Sequence, residues 1–352
     1  MSAKQVLLST DDITYYLLPG STGSIAVNGK TIDDTIFGQN YKSTLIGSLG
    51  WTISANAIYK GYPGYVATIK KIGATTTMTG EAMTTTGMPA HSYQIVNTAK
   101  RIWDRSITFV VHDGATDVTA NVASIDYLFG IVTFLSTYTV LGAVTVTGNY
   151  FPTANIGKFQ SYTLTQSAAA IDDSDMPTLN SNGGYQTYAA GLQTVSISLP
   201  SVFDTTSGWQ TALVARTEYV IEINPDGTGD SGSLCRGFFR LTTDSRSGAV
   251  GALELETITF ELSVPLGSQG NIAVATPFSW QHGASSPIPT AIKEVLTQYL
   301  AGNTIFVKYL YDGVNGWKGT AVITDASLAG GMDTANEVTL TFQGSGAPTA
   351  QP

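Results

Sequence analysis

The sequence is short of charge, cysteine, histidine and long apolar runs. Charged residues make up 12% of its 352 positions, about half the share usual in globular chains. The charge present leans acidic: 17 Lys and Arg against 26 Asp and Glu give a net charge of −9. A protein that grips nucleic acid by its phosphates needs a basic face, and here no basic run exceeds Lys70-Lys71 or Lys100-Arg101. Tight DNA binding is therefore not expected, whereas a weakly repelling surface past which DNA slides is compatible. The single cysteine, Cys235, excludes an internal disulfide. Three histidines (His91, His112 and His282) and one cysteine give no metal-ligand spacing. The longest apolar stretch, around Tyr127 to Leu135, is broken by Gly130 and Thr133, and falls far below the roughly 20 residues of a membrane span. The opening MSAKQVLLSTDDITYY is too short in apolar residues for a signal peptide. The expectation is a soluble chain made in the cytoplasm, large enough to bury a core without staples.

What fills the sequence instead is glycine (37 residues) and small polar residues in period-two alternation. Ile258, Phe260, Leu262 and Val264 alternate with Thr259, Glu261 and Ser263; Val338, Leu340 and Phe342 with Thr339 and Thr341; Tyr219, Ile221 and Ile223 with Val220 and Glu222. One face of each such strand meets a core and the other carries Thr and Glu. Asn28-Gly29, between SIAV and KTID, reads as a two-residue hairpin turn. Asp113-Gly114, Asp226-Gly227 and Asp312-Gly313 mark further turns. Three segments read as helix: Thr290 to Ala301, with an apolar stripe and Gly302 as its stop, and the shorter Tyr65 to Ile72 and Trp209 to Arg216. The predicted fold class is mainly β with a few flanking helices.

Two internal echoes organise the chain. GFFRLTTDSRSGAVGALELETITFELS from Gly237 matches GTAVITDASLAGGMDTANEVTLTFQGS from Gly319 without gaps, with identities that include Thr242/Thr324, Ser245/Ser327, Gly248/Gly330, Thr257/Thr339, Thr259/Thr341 and Phe260/Phe342. Each copy follows a helix candidate, an alternating strand and an Asp-Gly turn. NYKSTLIGSLGWTIS from Asn40 likewise echoes GYQTYAAGLQTVSIS from Gly184, each following an Asp pair, Asp33-Asp34 and Asp172-Asp173. The expected organisation is an opening part of a first unit over 1–75, a small β module over 76–155, a second unit over 156–266, and a closing part of the first unit, or a half-repeat, over 267–352. The module is inserted into the first unit or appended to it.

No catalytic constellation emerges. Gly23 to Gly29-Lys30-Thr31 approaches a phosphate-binding loop but has one residue too many between its glycines. Gly229-Asp230-Ser231-Gly232 imitates a serine nucleophile, without a supporting His motif; the surrounding DGTGDSG is rich in oxygen ligands but lacks the closing Glu of a calcium loop. Neighbouring residues of an extended chain point to opposite sides, so Asp33-Asp34 and Asp172-Asp173 suit turns or caps better than shared-proton dyads. Trp51, Trp103, Trp209, Trp280 and Trp317 are too scattered for a sugar platform and suit core or interface positions. The sequence predicts no enzyme, no cofactor and no metal site.

Leu18 to Lys71 (LPGSTGSIAVNGKTIDDTIFGQNYKSTLIGSLGWTISANAIYKGYPGYVATIKK) resembles the opening of major tail, or tail tube, proteins of long-tailed bacteriophages. Lys318 to Pro348 (KGTAVITDASLAGGMDTANEVTLTFQGSGAP) is similar to their closing strand pair. The resemblance implies β-sandwich or barrel-like tube units, with 1–75 and 267–352 forming tube unit I and 156–266 tube unit II; the 76–155 module departs from the pattern. It further implies strands that join edge to edge between copies into stacked rings around a channel for DNA ejection, in a homotrimer with pseudo-sixfold symmetry or a homohexamer. Partners would be the chain itself and other tail proteins, with the genome passing unbound and no membrane involved, in the virion tail. Thr257, Thr259 and Glu261, with Thr339, Thr341 and Gln343, are the candidate residues of the ring-forming strands. Rival readings are a receptor- or glycan-binding β-sandwich of a tail fibre or adhesin, and a tail terminator or capsid decoration protein.

Overall fold

The computed structural model describes residues 4–36, 41–86, 90–156, 159–203, 208–250, 252–263, 273–274 and 277–351. Val264 of the predicted alternation and Asn40 of the second echo lie outside them. The chain is mainly β. Strands β1 (Gln5–Ser9), β2 (Gly20–Asp33) and β3 (Thr44–Pro63) come first. They are followed by β4 (Thr68–Ile72), β5 (Thr76–Thr85), β6 (Ser92–Ile95), β7 (Val110–Asp113), β8 (Val122–Asp126), β9 (Ile131–Phe134) and β10 (Val144–Tyr150). Next are β11 (Ser161–Asp172), helix α1 (Met176–Ser181), β12 (Tyr188–Val202), α2 (Trp209–Ala215), β13 (Glu218–Asn224), β14 (Ser233–Ser247), β15 (Leu255–Leu262) and β16 (Phe278–His282). Helix α3 (Thr290–Ala301), β17 (Thr304–Leu310), β18 (Gly316–Gly331) and β19 (Thr334–Gln351) close the chain.

Two compact units divide the residues, one holding Met1–Val66, Gln160–Leu199 and Pro287–Pro352, the other Ala67–Phe159 and Pro200–Ser286. Their borders fall elsewhere than the spacing of the repeats would place them: residues 160–199 and 200–286 separate, and the latter join the 76–155 module.

In the first unit β2, β3, β19 and β18 lie side by side, all antiparallel. The far side of β18 is shared by β17, along Gly316 to Val322, and β11, along Asp325 to Gly331; β12 continues the sheet beyond β11. Alternation builds the core face. Ala57, Val338, Leu328, Leu164 and Ile197 stand directly opposite one another across five strands, and all are buried. Helix α3 buries Ala291, Ile292, Val295, Leu296 and Tyr299 and lies against β18 and β1; Gly302 ends it in the left-handed region. Tyr299 Oη donates toward Ser167 O (2.8 Å) and Thr194 O (3.2 Å), tying the helix to β11 and β12. Trp51 is buried on β3, with Nε1 donating to Gly346 O at 2.8 Å.

In the second unit β4, β13, β14 and β15 run antiparallel in that order, with β16 on the start of β14. Trp209 of α2 meets Tyr219 and Phe260 edge-on at 5.7 and 5.6 Å. Strands β5 to β10 form a second sheet whose core includes Trp103 stacked on Phe109 at 4.8 Å. Val220, Leu234 and Phe238 of β13 and β14 belong to that same core, so the module shares its interior with the hairpin. Arg236 reinforces this union: it bonds Glu222 (2.7 Å) and the Leu128 carbonyl (2.9 Å) and lies over the Phe129 ring.

Two expectations are corrected. Asn28-Gly29 is not a hairpin turn: β2 runs straight through it, Asn28 opposite Gly50 and Gly29 opposite Leu49, and the chain reverses only after Asp33. The pairing register along all of SIAV and KTID outweighs the local turn preference. Tyr65 to Ile72 is not a helix but a short 3-10 turn, Gly64–Val66, leading into β4, where Thr68, Ile69 and Ile72 suit an extended backbone. Helices do form over Trp209–Ala215 and Thr290–Ala301, and Gly114, Gly227 and Gly313 take positive φ in turns.

Candidate functional site: matched hairpins, open strand edges and a hydroxyl-lined sheet face

The ungapped echo between 237–263 and 319–345 reappears as geometry. In the β14/β15 hairpin Leu241 faces Phe260 and Thr243 faces Thr259, with a bulge between; in β18/β19 Ile323 faces Phe342 and Asp325 faces Thr341, with the bulge at the same step. The bulged residues are Thr242 and Thr324, and their hydroxyls donate to Thr259 O (3.2 Å) and Thr341 O (3.1 Å). In each hairpin the bulged threonine thus ties its hydroxyl to a carbonyl of the facing strand, where a bulge interrupts the ladder.

The second echo matches as closely. Between β2 and β3 the register slips after Gly29 opposite Leu49; between β11 and β12 it slips after Ala168 opposite Gln193. Gly47 and Gly191 sit inside these slips. A Cβ at Gly47 would meet Ile32 Cδ1 at 2.9 Å and Lys30 O at 3.3 Å; one at Gly191 would meet Ile171 and Ala169 O, both at 2.9 Å. Both turns are braced alike. Thr35 N and Ser174 N each donate to an aspartate, Asp33 and Asp172, at 3.0 Å; Ser43 N and Thr187 N donate back to the Thr35 and Ser174 hydroxyls at 2.9 and 2.8 Å. Hydrogen bonds from Thr35 and from Ser174 hold the two aspartates below the usual carboxylate range. The first aspartate of each pair serves as a turn brace. Near the hairpin ends Ile32 and Ile171, at matched positions, are 52% and 53% exposed.

Opposite the core, the first unit's sheet presents small hydroxylated side chains. Ser24, Ser54, Thr341, Asp325, Ser167 and Thr194 form one row across six strands. Thr339 stands opposite Asn56 and Gln343 opposite Thr52 on the same face. Among the candidate residues, Thr339, Thr341 and Gln343 therefore share one surface. Thr257, Thr259 and Glu261 occupy the corresponding non-core side of β15, alternating with buried Glu256, Ile258 and Phe260. Charge is sparse in the described part of the first unit's row, where Asp325 is the single ionisable group.

Among the described residues, two open strand edges belong to the matched hairpins. β2 is paired on one side only, to β3. β14 has β16 and then β15 along one side, while β13 covers its other side only as far as Arg240, leaving Leu241 to Ser247 without a strand there among the described residues.

Sequence reasoning missed one polar cluster. Ser233 Oγ lies 2.7 Å from His282 Nδ1 and also contacts Ser286 Oγ. Ser233 is completely buried, so its hydroxyl is not presented to a substrate. Asp230, of the nucleophile-like motif, pairs with Arg101 (3.5 Å) and Arg236 (3.4 Å). Trp51, Trp103 and Trp209 are buried, as core positions require. No cluster of three metal-ligating side chains occurs among the described residues.

No family model matches the sequence, and no curated protein matches it. Among solved structures, a third of the chain (33%) is similar to 85% of a chain in the tail of an empty gene transfer agent particle refined with C6 symmetry, at 16% identity and a TM-score of 0.28. The same share is similar to 87% of a chain in the virion of a native gene transfer agent particle, at 14% identity and a TM-score of 0.28. Likeness at that level carries no argument about fold or role.

Proposed function

We propose that the chain is a duplicated tail tube subunit of a long-tailed phage. One copy of its motif is β2–β3 with α3–β17–β18–β19, from 1–75 and 267–352. The other is β11–β12 with α2–β13–β14–β15, from 156–266, and 76–155 is an insertion. The observation that carries this reading is the joint between β18 of the first copy and β11 of the second. It joins the closing hairpin of one copy to the opening hairpin of the other, so the chain already contains one link of an edge-to-edge series. An exposed edge is a liability in a monomer, and a head-to-tail contact that repeats by rotation closes into a ring.

Three chains would give six equivalent links. Rings would stack through hairpin ends such as those bearing Ile32 and Ile171, and the hydroxyl face carrying Thr257, Thr259, Glu261, Thr339, Thr341 and Gln343 would line the channel. A charge-poor, faintly acidic wall offers phosphates no site at which to stall, so DNA passes without specific binding. The role is structural and non-catalytic, in the virion tail, assembled in the host cytoplasm alongside other tail proteins. Electron microscopy of concentrated purified protein, with and without tail initiator, tests this: rings or tubes are expected. A strictly monomeric protein under both conditions refutes the reading.

A further inference from the structure

Resting on that reading, the two repeats specify which residues meet between chains. The internal joint is antiparallel, with Ser161 opposite Gly331, Tyr162 opposite Gly330, Thr163 opposite Ala329, Leu164 opposite Leu328 and Ser167 opposite Asp325. The bulge and register matches equate Gly29 with Ala168 on the opening hairpins, and Leu241 with Ile323 on the closing ones. Carried back through those equivalences, β11 becomes β2 and β18 becomes β14. Each of the two strands so named has an open edge at the positions required.

We infer that β2 of one copy adds to the vacant side of β14 in the next. Thr22 then faces Ala249, Ser24 faces Ser247, Ile25 faces Arg246, Ala26 faces Ser245 and Asn28 faces Thr243. The partner is a second copy of this chain, bound head to tail.

The local chemistry suits that register. Gly23 faces Gly248 where the internal joint has Tyr162 over Gly330, a glycine whose Cβ would lie 2.8 Å from the tyrosine ring. Arg246, which comes to face Ile25, is already neutralised by Asp244 (3.1 Å) and Glu256 (3.3 Å) and stacked on Phe203. Ser24 meeting Ser247, and Ala26 meeting Ser245, extend the hydroxyl face across the joint. Residues 22–28 and 243–247 hold no charge besides Asp244 and Arg246, which pair with each other.

Cysteines at directly opposed antiparallel positions have Cα atoms about 4.5–5.5 Å apart, within disulfide reach. The test is the full chain carrying Ala26→Cys with Ser245→Cys, both at exposed positions, oxidised after assembly and run on a non-reducing gel. Each single variant serves as a control for the buried native Cys235. A second double variant, Ala26→Cys with Ala249→Cys, is four residues out of register, about 13 Å away at ~3.4 Å per residue. Covalent multimers ending at the copy number of one ring are expected from the first pair only. Rings that assemble while the first pair stays unlinked, or while the second links equally well, overturn this register and leave the tube reading standing. Failure of the unmodified protein to assemble at all overturns both.

Discussion

Gly344→Ala tests whether Trp51 is locked between strands. An ideal Cβ at Gly344 falls deep inside contact distance of Trp51 Cε2 and Cδ2, and 2.5 Å from Nε1. Carbon atoms pack best at about 3.5–4.0 Å, so ring or strand must move by roughly 1.5 Å. The ring has no free side: it is 1% exposed, and a Cβ on Gly319 would approach its Cζ2 to 2.6 Å. Overpacking costs about 1–3 kcal/mol where neighbours yield, and losing a buried Trp altogether costs about 3–5 kcal/mol. Moving the ring also strains the bond to Gly346 O, worth about 0.5–1.5 kcal/mol. The expected loss is about 3 kcal/mol. Urea unfolding of the purified protein, followed by circular dichroism, reads it as a fall in midpoint of about 1–2 M for a slope of ~2 kcal/mol/M. Trp51→Phe should relieve part of the clash, so the double variant should be less unstable than the sum by about 1 kcal/mol or more. A Gly344→Ala change below about 0.5 kcal/mol, or strict additivity with Trp51→Phe, refutes the packing account.

Further outcomes follow from the same geometry. Glu222→Gln should destabilise by about 3 kcal/mol, because buried Arg236 would keep only its longer carboxylate contact, to Asp230; chemical denaturation at neutral pH measures it. Burial pushes the Glu222 carboxyl up, but Arg236 and Lys70 more than reverse this and leave it lowered. Its contribution is thus present above the ordinary carboxylate range and lost as pH falls through the lowered value, and Glu222→Gln should be less acid-sensitive than the parent. Asp126 behaves oppositely: burial raises it to about 6, against the hydrogen bonds from Leu128 and Phe129. Stability from this group is present below about pH 4 and lost as pH rises through about 6, so Asp126→Asn should gain about 1–3 kcal/mol at pH 7 relative to pH 4. Tyr299→Phe removes the hydroxyl shared by the Ser167 and Thr194 carbonyls, and should lower stability by about 0.5–1.5 kcal/mol in the same assay.

What the sequence made legible was periodic or repeated. The stripe Ile292, Val295, Leu296 and Tyr299 located α3, and the alternation around Phe260 and Phe342 located the core faces of β15 and β19. The echo across Gly237 and Gly319 marked two segments that fold as like hairpins, but the bulge they share at Thr242 and Thr324 was not read from the letters. Neighbour relations were not legible. Nothing in the letters of β11 says that its edge meets β18 rather than another strand, since main-chain hydrogen bonds carry no residue label. Asn28-Gly29 misled because its turn preference is local, whereas the register of β2 on β3 is fixed by every pair along the strand. The bond from Arg236 to the Leu128 carbonyl was invisible, as it joins residues far apart in sequence. The site candidates Thr339, Thr341 and Gln343 could be assigned a face by alternation; the serine and threonine row around them required knowledge of strand order.

Because β11 and β18 belong to one polypeptide, their seam closes during folding, at an effective concentration set by the chain and indifferent to dilution. Such a seam is also free to specialise. Gln166, whose amide donates to Ala326 O at 2.7 Å, is a buried polar rivet found there, and its counterpart on β2 is Val27. In the proposed ring, one seam is thereby fixed within each chain while the seam between copies stays subject to dilution, which would let misassembled copies separate and try again.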